Sequence, residues 1–205
     1  MTQEYLYPAH RVLYREEIKK SLFIVHLCHT ATIEQAKSFI KHINEQYPDA
    51  NHNCWAHIAG RPNDTLVLGF SDDGEPSGTA GKPMLNVLVG SGLGEITAVI
   101  TRYFGGIKLG TGGLVRAYGG TLKNALAECE HLTRVPLITL VGRSSYSLQG
   151  AIEQYIIRQF PTSHIAKEFT SDIGWQIDID ERVAKQAIKD IFEISNGTVE
   201  LKVKQ

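Results

Sequence analysis

Three groups of residues have the types and spacing to do chemistry. Arg102, Tyr103, Phe104, Lys108 and Arg116 stand among Gly105, Gly106, Gly110, Gly112 and Gly113, with Thr111 following Gly110. Asp72, Asp73 and Glu75 place three carboxylates within four positions, a few residues ahead of Lys82. His52 is the third. Cations beside glycines at the start of a helix suit a phosphate or carboxylate, because glycine lets a ligand approach free backbone N–H groups and the helix dipole favours negative charge. His52, Asp73 and Glu75 are the residue types that carry protons in acid–base catalysis.

The elements that must position these groups are legible as patterns. Ile96–Ile100 is a short β-branched run of buried-strand type, ending in Arg102 and the turn pair Gly105-Gly106. Leu114, Ala117, Tyr118, Leu122, Ala125 and Leu126 recur at helical spacing, and Thr111 is an acceptable N-cap for that helix. Residues 98–120 hold seven of the 19 glycines. They either form an anion site or only let a turn close and a helix pack. Gly119-Gly120 fits the second reading, since two glycines inside a helix cost about 2 kcal/mol against alanine, a loss recovered by close packing. The acidic loop Ser71–Lys82 likewise allows two readings: convergent carboxylates for catalysis or magnesium, or solvated turn residues that cap the helix beginning near Met84.

Two common nucleotide motifs are excluded. Gly81-Lys82 has Pro76 where a P-loop needs its first glycine and Pro83 where it needs Ser or Thr; Gly110-x-Gly112 meets Val115 where a dinucleotide fingerprint needs its third glycine. His26-x-Cys28-His29 and His52-x-Cys54-x-x-His57 suggest zinc at first sight, but strand alternation sets His52 and Cys54 opposite His57, so no metal and no cofactor is expected.

Val99-Ile100-Thr101-Arg102-Tyr103-Phe104-Gly105-Gly106-Ile107-Lys108-Leu109-Gly110 closely resembles the signature of the IMPACT family. Ser71-Asp72-Asp73-Gly74-Glu75-Pro76 and Gly78-Thr79-Ala80-Gly81-Lys82-Pro83-Met84 resemble its second block, and the whole chain is similar to the bacterial branch. The resemblance implies an α+β protein. Its first domain, 1–133, would resemble the second domain of ribosomal protein S5, a fold shared with small-molecule kinases. Its second, 134–205, would resemble a translation-factor domain. Eukaryotic members of the family regulate translation under amino-acid starvation through a protein partner, engaged by a region that includes a separate N-terminal domain. This chain begins directly with the shared domain, so that partner is not carried over.

The second domain is also argued from pattern. From Pro136 the order reads βαββαβ, the ferredoxin-like split unit, with Ile138, Leu140, Tyr146 and Leu148 on one strand face, a helix through Ile152 to Phe160, strands at His164–Phe169 and Ile173–Ile179, a helix capped by Asp180, and a last strand Thr198–Val203. It contains no cysteine, which removes an iron–sulfur role. Earlier in the chain, residues 10–16 and 21–28 read as a hairpin across Glu16–Lys20. Thr32–Tyr47 reads as an amphipathic helix with a Thr32/Gln35 capping box, and His52–Ala59 and Leu66–Phe70 as further strands.

Composition bounds the function. Twenty-one basic against 22 acidic residues leave a net charge of −1, so nucleic acid or membrane must be recognised locally or not at all. No apolar stretch reaches transmembrane length, the N-terminus lacks a signal peptide's basic and apolar regions, and Cys28, Cys54 and Cys129 form no CxxC pair; a cytoplasmic protein with reduced thiols is expected. Two functions compete. In the first, a translation-linked protein binds RNA, a nucleotide or a ribosomal component, with Lys82, Arg102, Lys108 and Arg116 on phosphates and Tyr103 or Phe104 stacking. In the second, an enzyme handles a phosphorylated or carboxylated small molecule, with His52, Asp73 or Glu75 moving protons.

Overall fold

A computed structural model describes residues 4–204. Contacts divide the chain into two compact units: Tyr5–Arg134, and the segment from Val135 together with Glu4. Both are mixed α/β units with antiparallel sheets.

In the first unit the elements are β1 (Tyr5–Pro8), β2 (Val12–Ile18), β3 (Ser21–His29), α1 (Ile33–Gln46), β4 (His52–Ile58), β5 (Leu68–Ser71), α2 (Gly81–Ser91), β6 (Ile96–Tyr103), α3 (Thr111–Ala127) and β7 (His131–Arg134). Five strands form a sheet in the order β2-β3-β6-β4-β5, and β6 is central. Alternation along β6 sends Ala98, Ile100 and Arg102 to one face and Val99 and Thr101 to the other. The first face, with Phe23, Val25, Leu27, Cys54 and Ala56, packs on Met84, Leu88, Leu114, Tyr118 and Leu122 of α2 and α3. The second packs through Val99 on Phe39, Ile40 and Ile43 of α1. Each such aliphatic side chain, once fully buried, contributes about 1.5–3 kcal/mol.

The second unit comprises β8 (Leu137–Ser144), α4 (Gln149–Gln159), β9 (His164–Phe169), β10 (Ile173–Asp180), α5 (Glu181–Ile194) and β11 (Lys202–Val203), with sheet order β11-β8-β10-β9. Its βαββαβ order thus closes with the fourth strand beside the first. Ile173, Trp175, Ile177 and Ile179 alternate into a core with Leu140, Ile152, Ile156 and Ile191. Among the described residues no helix is long and apolar enough to cross a membrane.

Several local expectations change. The first hairpin is tighter than the sequence suggests: β2 runs to Ile18 and the turn is Lys19-Lys20 alone, both at positive φ (48° and 66°). Such a two-residue turn matches the twist of the flanking strands. Residues Thr65–Val67 form a 3₁₀ turn, with Asp64 accepting from the Leu66 N–H, so that strand begins at Leu68. Tyr146 and Leu148 lie in another 3₁₀ turn, not on β8, and the last strand is only Lys202–Val203. The strand expected to end in Arg102 runs one residue further, to Tyr103, so Arg102 keeps ladder neighbours on both sides. The N-cap of α3 is Gly110, at φ 72°, and Thr111 is the first helical residue. Close packing does not explain Gly119-Gly120: a Cβ on Gly119 would make ordinary contact with Val87, and one on Gly120 would meet nothing within 4 Å.

Candidate functional site

The ladder sets the site. Across the sheet, Arg102 of β6 pairs in register with Phe23 of β3 on one side and His52 of β4 on the other. All three therefore lie on the α2/α3 face, at the end where α3 begins. Gly105 lets the chain leave β6 close against the first hairpin: a Cβ there would lie 1.8 Å from the Lys20 carbonyl oxygen.

The acidic loop supplies the opposite charge, but its three carboxylates do three different things. Asp72 accepts backbone N–H bonds from Gly78, Ala80 and Gly81 at 2.8, 2.9 and 2.8 Å, tying the loop to the start of α2. Burial works to raise its carboxyl, and the three donors outweigh it, so its pKa falls below the ordinary carboxylate value. Asp73 accepts from the Asn53 N–H at 2.6 Å, and its carbonyl accepts from His52 Nδ1 at 2.7 Å. Glu75 turns inward and is buried.

Glu75 Oε1 takes two donors, Arg102 Nη1 at 2.5 Å and the Tyr118 hydroxyl at 2.8 Å. Its other oxygen, Oε2, faces His52 Nε2 at 3.9 Å. Below them the Cys54 thiol donates to the Asp72 carbonyl at 2.9 Å and contacts the Tyr118 hydroxyl at 3.4 Å. Burial pushes up both the Cys54 thiol and the Tyr118 hydroxyl, so each keeps its proton and acts as a donor. The Arg102 guanidinium lies over Phe23 and Phe104, 5.5 and 5.6 Å from the ring centres. Its Nε is buried and without a hydrogen-bond partner.

Above this network opens a cleft of about 440 Å³. His52, Glu75 and Arg102 line one part of it, and Lys108, Gly110 and Thr111 another. Phe104, 46% exposed, and Asn51 border it as well, Asn51 accepting from the Phe104 N–H at 2.7 Å. The first turn of α3 has no side-chain cap and no acidic residue.

Residues 19–126, which include every residue of this cleft, match the Impact N-terminal domain. The chain belongs to the IMPACT family. It is 45% identical over 194 residues to the IMPACT family member of Haemophilus influenzae, covering 95% of this chain and 94% of that protein. It is 42% identical over 199 residues to the IMPACT family member YigZ of Escherichia coli, covering 97% of each. A solved structure described as a hypothetical protein shares 40% identity, with a TM-score of 0.76, over 100% of this chain and 99% of its own.

Of the residues singled out from sequence, His52, Glu75, Arg102, Lys108, Gly110 and Thr111 come together in the cleft. Lys82 does not line it: it is exposed on α2. Tyr103 points to the other face of β6, its hydroxyl donating to Asp49 at 2.9 Å, which leaves Phe104 as the aromatic of the cleft. Gly105 and Gly106 shape the turn, Gly112 and Arg116 are exposed on α3, and a Cβ on Gly113 would press on Leu109 at 3.1 Å. Sequence reasoning missed Asn51, Tyr118 and Cys54. Tyr118 reads simply as one more apolar position on a helix, and nothing local signals that its hydroxyl reaches a glutamate 43 positions away. Among the described residues no group of three or more His, Cys, Asp or Glu is arranged to hold a metal ion.

Proposed function

We propose that this is a translation-linked binding protein whose cleft takes a phosphate of RNA or of a nucleotide. One observation carries the reading: the uncapped N-terminus of α3, Lys108 and the exposed ring of Phe104 border a single cleft. Free first-turn N–H groups and the helix dipole suit an anion, Lys108 adds a charge, and Phe104 offers a flat surface for a base. Arg102 contributes from beneath. Its charge is answered by Glu75, so its part is to stiffen Phe104 and the cleft floor, with its buried Nε making no hydrogen bond.

The wider reading goes with it. An S5-like first domain, 1–133, and a ferredoxin-like second domain, 134–205, suit a protein of the translation machinery working in the cytoplasm, with the ribosome or its RNA as partner. The sheet order β11-β8-β10-β9 supports the ferredoxin-like part.

Titrating short single-stranded RNA and free nucleotides over a salt series tests the proposal. Binding should weaken as salt rises, and Lys108→Ala should lower the slope of log K against log salt by about 0.7 for a single-stranded ligand. No binding of either ligand at low salt would contradict it.

A further inference from the structure

We infer that the same cleft hydrolyses a phosphodiester, with His52 as general base; the inference rests on the phosphate-binding reading above. His52 Nδ1 donates its proton to the Asp73 carbonyl at 2.7 Å, which fixes the neutral ring with its lone pair on Nε2. The Asp73 carbonyl is itself held, because its carboxylate accepts from the N–H of Asn53, the residue next to His52. Glu75 Oε1 is occupied by Arg102 and Tyr118, so the free accepting capacity of that carboxylate lies on Oε2. Two acceptors, Nε2 and Oε2, thus face each other at 3.9 Å in the wall of the cleft.

A span of that length is bridged by one oxygen that donates a hydrogen to each acceptor at about 2.8 Å. A water so held has its lone pairs free for an electrophile. With a phosphodiester anchored at the α3 N-terminus and Lys108, the electrophile is phosphorus. As the water oxygen forms its bond to phosphorus, one of its protons passes to His52 Nε2. The bond from phosphorus to the leaving oxygen breaks with its electron pair on that oxygen. His52 then returns its proton to the leaving oxygen or to solvent. The products are a phosphomonoester and an alcohol or phenol, and no oxidant or co-reactant beyond water is consumed. The groups facing His52 are Glu75 and Asp73 from the loop, Arg102 beside it on β6, and Lys108 in the cleft.

Thymidine 5′-(p-nitrophenyl phosphate) is the probe, with release of p-nitrophenolate followed for wild type, His52→Gln, His52→Asn and, as a control outside the cleft, Lys82→Ala. Binding of thymidine 5′-monophosphate is measured in parallel. His52→Asn can keep the donor to Asp73 without supplying a base. Both His52 variants should lose about 10²–10⁴-fold in kcat. KM and monophosphate binding should stay within about threefold, and the ascending limb of the pH–rate profile should disappear. Lys82→Ala should match wild type. Wild type that binds the monophosphate but releases no p-nitrophenolate above the buffer blank would overturn the inference and leave the binding proposal intact. So would His52 variants that turn over at the wild-type rate. Failure to bind the monophosphate or RNA at all would overturn both.

Discussion

Arg102 and Glu75 form an ion pair at 2.5 Å in which the two side chains are only 7% and 3% exposed. The pair joins the central strand to the acidic loop, and both side chains are almost wholly withdrawn from solvent. Removing one member strands the other's charge, which costs about 3–5 kcal/mol, whereas removing both is far less costly. Arg102→Met should therefore lower stability by about that amount in urea or thermal unfolding, and the double variant Arg102→Met/Glu75→Leu should recover part of the loss. Additive losses would show that the two residues are not energetically coupled.

Glu95 is a second buried carboxylate. It stands at φ 51° and accepts from the Tyr5 hydroxyl at 2.7 Å, from His29 Nε2 at 2.5 Å and from Arg134 Nη2 at 2.6 Å. Burial opposes its charge, but hydrogen bonds from Arg134, His29 and Tyr5 outweigh burial and hold its carboxyl at about 2 against an ordinary 4.5. A depressed folded value means that the stabilisation is fully present above pH 4.5 and is lost as pH falls from there through about 2. Glu95→Gln should be less stable than wild type at pH 7, and the difference should shrink across that acid window. A gap that stays constant down to pH 2 would contradict the assignment.

The second unit should stand alone. Its core, from Leu140 and Ile152 to Trp175 and Ile191, is drawn entirely from its own elements, and Trp175 Nε1 donates to Ser144 Oγ within it at 2.8 Å. Residues 134–205 expressed alone should show a cooperative melt by circular dichroism. A fragment without one would show that the unit depends on the rest of the chain.

Where the sequence was legible, the signal was local. The Thr32 hydroxyl accepts from the Gln35 N–H, as a capping box requires, although the Gln35 side chain returns to Ala31 N. Ile173–Asp180 shows the alternation that a half-buried strand must have. Arg102 was legible as the end of its strand, which stops one residue later, but not as a buried residue, because the glutamate that neutralises it stands 27 positions earlier. The pair β1 and β7 was missed because each strand has only four residues and its partner lies more than 120 positions away. Thr111 against Gly110 as the cap was decided by one backbone angle, φ 72° at the glycine. His52, Glu75 and Lys108 were visible as residue types, but that they share a cleft depends on the register that sets His52 beside Arg102 and on the long-range ion pair that draws the Glu75 loop to Arg102.

The binding proposal turns on the first turn of α3, and Thr111→Asp addresses it without disturbing the core, because Thr111 is exposed and is the first residue of the helix. A carboxylate there favours the helix by about 0.3–1 kcal/mol while repelling an anion placed at the same N–H groups. Affinity for short single-stranded RNA and for nucleotides is measured at low salt beside the melting temperature of the same preparation. The account predicts a melting temperature equal to or above that of wild type, together with a loss of at least about tenfold in affinity, or about 1.4 kcal/mol. A Thr111→Asp protein that is as stable as wild type and binds these ligands equally well would contradict the proposal that the α3 N-terminus holds the phosphate.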